Sequence, residues 1–284
     1  MKQVAILTDS NVCLPKEVVE EYGIYIVPFK LAFEGRSYRN GVDITTSEFY
    51  QLLRKAKNLP TTSAPSLGDY LEAYRELSKQ TKEILCITLT AKVSMAFDSA
   101  QKAAELVGEE IPDIKINVLD SQTAAGAQGF VVLAAAKAAA SGQDLAKVTE
   151  VAKQLMPKVN LIATLDTLDY LARGGRVPNV IAWASSLLEI KPIVGFSQGE
   201  GKPLGRARTK HRAVERLLEI AKEQIRGRPV HINLMHSDVL DEAEELKKQV
   251  LTQFNCVELY ITQFTPVMGV HTGPGVLALA FYCD

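Results

Sequence analysis

The segment ILCITLTAKVSMAFDSAQKAAELVGEEIPDIKINVL, residues Ile84–Leu119, decides the fold. Ile84–Leu89 is a short, nearly unbroken apolar run, the pattern of a strand buried on both faces. Ala96–Val107 reads as a helix with Gly108 as its stop, and Ile114–Leu119 is a second apolar strand. Strand, helix and strand in that order are the unit of a parallel sheet covered by helices.

The same alternation extends in both directions. Towards the N-terminus, Val4–Leu7 is a strand ending in Thr8-Asp9-Ser10, and Lys16–Tyr22 is a brief helix between Pro15 and Gly23. Tyr25–Phe29 is another strand, and Leu31–Arg39 a hairpin around Glu34-Gly35. Thr45 with Glu48 caps a helix over Phe49–Lys57, and Tyr70–Lys79 is amphipathic. Towards the C-terminus follow an Ala-rich helix from about Ala124 to Ala140 and a second helix, Leu145–Leu155. These elements predict a three-layer α/β/α domain with a parallel sheet over residues 1–157.

The pattern changes near Pro157. Leu161–Leu165 is a strand, Asp166–Arg173 a short helix stopped by Gly174-Gly175, and Val180–Leu188 an apolar helix carrying Trp183. Pro192–Ser197 and Lys202–Ala207 flank the glycine turn of a hairpin. Charged amphipathic helices (Ala213–Ile225, Asp241–Phe254) and strands (Val230–Met235, Cys256–Thr262, Val276–Phe281) complete the chain. Residues 158–284 therefore read as an α+β domain with a mixed sheet, packed against the first domain with a shared cleft.

Composition narrows the function. The chain has 284 residues and a formal net charge of −1, which gives no electrostatic case for nucleic acid or an anionic membrane as partner. The N-terminus lacks the apolar core of a signal peptide and no run reaches the length of a membrane span, so a cytoplasmic protein is expected. Cys13, Cys86, Cys256 and Cys283 form no Cys-x-x-Cys pair, and the histidines have no ligand spacing, so no metal site is expected. No Walker loop or dinucleotide fingerprint occurs.

Three constellations remain. The first is hydroxyl-rich: Thr61, Thr62, Ser63 and Ser66 lie between or beside Pro60 and Pro65, read as an extended loop feeding a helix whose capping box is Ser66 with Asp69. Ser94, between a strand end and a helix start, is its second member, and the strand tips at Thr8–Ser10, Thr88–Thr90 and Asp120–Thr123 add further hydroxyls along the edge where open parallel sheets bind ligands. The second is Gly269–Gly275, read as a tight loop with His271 at its tip, able to donate to an anion or act as acid or base near neutral pH. The third is Leu171–Val177, where Arg173 and Arg176 around a glycine pair suit an anion clamp or a docking surface.

Taken together these motifs resemble the DegV family of lipid-binding proteins, the acyl-carrying subunits of bacterial fatty-acid kinase. The resemblance rests on Thr8-Asp9-Ser10, Thr62–Ser66, Ser94 with Ser99-Ala100, Asp120-Ser121, Leu171–Val177, Lys191-Pro192-Ile193 and His271–Gly275. It implies two α/β domains holding a long-chain, palmitate-like fatty acid between them, with its carboxyl group at Thr62 and Ser94 and with Ser63 and His271 nearby. It also implies a non-catalytic carrier without cofactor that presents the acyl chain to a separate ATP-binding kinase, or transports it, with Arg173 and Arg176 as a docking surface. The family commonly has Ser-Gly-Thr where this chain has Ser94-Met95-Ala96, and Gln where it has Ala64. An enzyme acting on a small phosphorylated or keto substrate with His271 as base is the alternative, and an interaction protein whose hydroxyls are only caps is a third. A long apolar tunnel between the domains favours lipid; a short polar pocket favours the enzyme.

Overall fold

The computed structural model describes residues 3–180 and 190–284. Strands β1 (Val4–Asp9), β2 (Tyr25–Val27), β6 (Glu83–Thr88) and β7 (Lys115–Asp120) form a parallel sheet in the order β2-β1-β6-β7. In register, Leu7 faces Cys86 and Ile87 faces Leu119. One face of the sheet is covered by helices Leu67–Ser78 and Ala96–Glu110, through Tyr70, Tyr74, Ala100, Ala103 and Val107. The other is covered by Ala125–Ala140 and Leu145–Leu155. This is the expected three-layer arrangement.

Strands β8 (Asn160–Thr164), β9 (Lys191–Ser197), β10 (Glu200–Ala207), β11 (Val230–His236), β12 (Cys256–Gln263) and β13 (Leu277–Cys283) make a mixed sheet ordered β10-β9-β8-β13-β11-β12. Gln198 and Gly199, with φ of 53° and 80°, make the positive-φ turn that a two-residue hairpin requires. Helix Ala125–Ala140 joins the two sheets, because it has no polar face: Val131, Val132 and Ala135 pack towards the parallel sheet, while Ala127 and Phe130 pack with β13 residues Ala278 and Ala280. Small residues permit the close approach, since a Cβ on Gly126 would lie 2.7 Å from Asn233 Nδ2 and 2.8 Å from Met235 Sδ. Among the described residues no helix is long and apolar enough to cross a membrane.

Three features differ from the sequence reading, and a fourth lies outside the described residues. Helix Ala96–Glu110 runs through Gly108; it stops at Ile111, whose φ of −116° and ψ of 111° are the extended geometry that the following Pro112 imposes. The hydroxyl-rich loop is a strand, β5 (Thr61–Ser63), which pairs antiparallel with β3 (Lys30–Phe33) in a small sheet completed by β4 (Arg36–Arg39). The prolines bound this strand rather than abolish it, because neither sits at a position that must pair. Gly269 is not in a loop but inside helix Pro266–Thr272, where a Cβ would meet Phe49 Cε1 at 2.6 Å and Tyr50 Oη at 2.8 Å. Its role is close packing. Lastly, the helix expected over Val180–Leu188 with Trp183 falls, apart from Val180, outside the described residues.

Candidate functional site

A cavity of about 840 Å³ lies where the carboxyl edge of the parallel sheet meets the mixed sheet. That size is ordinary for a site enclosing a small organic ligand. Its lining is mainly apolar. Leu161, Ala163, Val194 and Phe196 come from β8 and β9, Phe264, Val267 and Met268 from the end of the chain, and Phe29, Leu89 and Ala124 from the N-terminal half. No group of His, Cys, Asp and Glu among the described residues could hold a metal ion.

All four residues singled out for a carboxyl group line this one cavity: Thr62, Ser63, Ser94 and His271. Thr62 is half-buried in the middle of β5, opposite Leu31, and Ser63 beside it is exposed. The short strand is anchored on its far side by the Ser66–Asp69 capping box, in which each partner satisfies the other's backbone N–H. Ser94 precedes helix Ala96–Glu110, and its Oγ accepts from the Ala96 N–H at 3.1 Å. Met95 also reaches the cavity but is 64% exposed, so it marks the rim rather than narrowing the interior.

His271 sits in the last turn of helix Pro266–Thr272, and its Nε2 lies 2.9 Å from Thr62 Oγ1. Nδ1 is buried without a hydrogen-bond partner among the described residues, pressed against Gly174, where an added Cβ would lie 2.5 Å away. Burial pushes the His271 pKa down to about 4, and the Arg176 charge pushes the same way. The ring is therefore neutral at pH 7. This corrects the expectation of an acid or base titrating near neutrality: His271 can donate or accept one hydrogen bond through Nε2, but it carries no charge there.

The other candidates separate. Arg173 is exposed and does not line the cavity, whereas exposed Arg176 does, with Nη1 donating to the Gly174 carbonyl at 2.7 Å. Three of the strand-tip hydroxyls are structural. Thr8 Oγ1 donates to the Ile87 carbonyl at 2.7 Å, Ser10 Oγ accepts from Phe29 N–H at 2.9 Å, and Ser121 Oγ donates to the Thr123 carbonyl at 3.1 Å. Each is consumed in holding the sheet edge together, so repetition of the pattern was not a sign of ligand contact. Asn11 and Lys92 line the cavity and were missed. Asn11 was within reach, since it directly follows the Thr8–Ser10 strand tip; nothing local distinguishes Lys92, which pairs with Glu200 across the cleft at 2.8 Å.

The family model for uncharacterised DegV-family proteins matches residues 3–284. A DegV domain-containing protein of Clostridium perfringens is 30% identical over 279 residues, 98% of each chain. Among solved structures, a fatty-acid-binding DegV family protein from Thermus thermophilus is 29% identical with a TM-score of 0.91, covering 99% of this chain and 100% of its own. A stearic-acid-binding protein from Eubacterium ventriosum is 28% identical with a TM-score of 0.91, covering 100% of this chain and 98% of its own.

Proposed function

The chain belongs to the DegV family, and from that premise we propose that it binds one long-chain fatty acid in the 840 Å³ cavity. The observation that carries this reading is the composition of the wall: a mainly apolar lining with neutral hydroxyls at Thr62, Ser63 and Ser94 and no acidic side chain among the described lining residues. The alternative enzyme would need a polar pocket and a base that titrates, and His271 does not titrate near neutral pH.

The tail supplies most of the affinity, at about 0.8 kcal/mol for each buried CH₂. A palmitate tail contributes on the order of 10 kcal/mol gross, before the ordering costs of association. The carboxylate must keep its hydrogen bonds when it leaves water. Thr62 and Ser94 donate to it, with Ser63 beside them. When His271 donates from Nε2 to Thr62 Oγ1, the Thr62 hydroxyl proton is left to point at the ligand. In this reading His271 is a positioning residue.

The protein acts as a carrier without cofactor. It presents the carboxyl end to a separate ATP-binding kinase for acyl-phosphate formation, or transports the acid within the cytoplasm. Exposed Arg173 and Arg176 are the docking surface in this reading, and Arg176 also lines the cavity. The chain divides into domains 1–157 and 158–284, so the ligand lies between them.

Titration calorimetry of the delipidated protein with palmitate and with palmitic acid methyl ester tests the reading. Palmitate should bind, and the ester, which cannot offer a carboxylate, should bind at least tenfold more weakly. Equal binding of the two would contradict the carboxyl site, and binding of neither would contradict lipid binding.

A further inference from the structure

Ser63, Ala64, Pro65 and Ser66 form one continuous piece of the cavity wall, from the end of β5 to the start of helix Leu67–Ser78. Little within the segment fixes its place. β5 is three residues long, short of the about five or six usual for a strand, and among the described residues β3 is its only neighbour in the sheet. Pro65 has no N–H to give to a partner. Yet the Thr62 and Ser63 hydroxyls can meet a carboxyl group only if this segment is held still.

Lys30, on the middle strand β3, is attached to both ends of it. In the ladder Lys30 is the partner of Ser63, so the two side chains leave the sheet on the same face. Past the segment, Lys30 Nζ donates to both oxygens of Asp69, at 3.0 Å to Oδ1 and 2.7 Å to Oδ2. Asp69 Oδ2 in turn accepts from Ser66 N–H at 2.7 Å and from Ser66 Oγ at 2.6 Å. The Lys30 and Asp69 side chains are only 34% and 27% exposed, so water and salt screen the pair less than an ion pair on the open surface. Burial draws the Asp69 pKa upwards, but Lys30 and Ser66 outweigh it and hold the carboxyl below its ordinary range. The clamp is therefore ionised and intact at neutral pH. Lys30 itself is not among the described residues that line the cavity.

We propose that Lys30 is a positioning residue for the carboxyl site: by tying the β5 end of the wall to the Ser66–Asp69 cap, it fixes where the Thr62 and Ser63 hydroxyls stand. The inference rests on the lipid-binding reading above. Lys30 acts through hydrogen-bonding groups that meet the head of the ligand, whereas the apolar wall that takes the tail is built from other elements. Loss of the ammonium therefore costs recognition of the carboxyl group and spares the contribution of the tail.

The test titrates palmitate and palmitic acid methyl ester into delipidated wild type, Lys30→Met and Lys30→Arg. Lys30→Met keeps a stem of similar length without the charge. It should bind palmitate roughly five- to tenfold more weakly, while its affinity for the ester stays within about twofold of wild type. Lys30→Arg, which can again pair with Asp69, should bring palmitate back to within about twofold. If Lys30→Met does not fold, Asp69→Asn replaces it: the amide oxygen still accepts Ser66 N–H, the ion pair is gone, and the same selective loss is expected. Palmitate binding at wild-type strength without the ion pair would overturn the positioning role. So would a parallel loss of palmitate and ester, which marks general loosening, or a Lys30→Arg protein no better than Lys30→Met. Failure of wild type to bind either ligand would instead overturn the lipid reading beneath it.

Discussion

Thr62 Oγ1 lies 2.9 Å from His271 Nε2, a contact that joins β5 to helix Pro266–Thr272 across 209 residues of sequence. It ties one polar wall of the cavity to the C-terminal domain. Thr62→Val keeps the shape of the side chain and removes the donor. Palmitate affinity should fall by roughly tenfold or more, as for a lost hydrogen bond to a charged group. His271→Gln, which can still donate to Thr62, should cost less than His271→Ala. Calorimetry on the three variants checks the order; a larger loss in His271→Gln than in Thr62→Val would place His271, not Thr62, against the ligand.

Ser94 has two duties, and they are separable. Its Oγ accepts the Ala96 N–H, so Ser94→Ala should lower stability by about 1 kcal/mol, the usual worth of such a bond. Ser94→Asn restores an acceptor there but fills space at the cavity wall. Urea unfolding should show stability recovered in Ser94→Asn, while palmitate binding stays weakened in both variants. Binding that tracks stability would mean Ser94 is only a cap.

The acid limb of stability follows from His271. Its pKa falls from an ordinary 6.5 to about 4 on folding, mainly through burial and secondarily through Arg176. Below pH 6.5 the unfolded chain binds a proton that the folded chain refuses. The contribution is therefore complete above pH 6.5 and is lost as the pH falls towards 4, by on the order of 3 kcal/mol. Asp9 runs the other way. Burial raises it from 3.8 to about 6, so its contribution is present below pH 3.8 and lost as the pH rises through 6. Between pH 7 and 4 the unfolding free energy of wild type should fall relative to that of His271→Gln by on the order of 3 kcal/mol. A constant difference would refute a buried neutral His271.

Two glycines in helices should answer the same substitution with opposite signs. Gly108 lies on the exposed face of its helix with open space around it, so Gly108→Ala should stabilise by up to about 1 kcal/mol. Gly269→Ala drives a methyl into Phe49 and Tyr50 and should destabilise by roughly 1–3 kcal/mol. It should also weaken palmitate binding by shifting the helix that carries His271. Thermal melts of the two variants moving in the same direction would contradict this packing.

Periodicity made the architecture legible. The parallel sheet, its two helical layers and the β9–β10 hairpin follow from strands of alternating type and from glycine turns, which are local signals. Where local and tertiary signals conflict, the reading failed. Gly269 looks like a turn residue, yet it is small because Phe49 and Tyr50 press on its helix, and those neighbours are 220 and 219 residues away in sequence. The Thr61–Ser63 strand was hidden by its prolines, and its pairing with β3 is invisible without the fold. Thr62, Ser63, Ser94 and His271 were brought together by family resemblance rather than by spacing. The apolar residues that make the rest of the cavity, such as Val194 and Phe196, look like any others facing a core.

The most direct measurement is the lipid itself. Protein purified gently from its expression host, denatured and extracted into organic solvent should release a long-chain fatty acid detectable by mass spectrometry, approaching one molecule for each chain. Delipidated protein should take up added palmitate to the same ratio. An extract without fatty acid, together with no uptake of palmitate, would contradict the account.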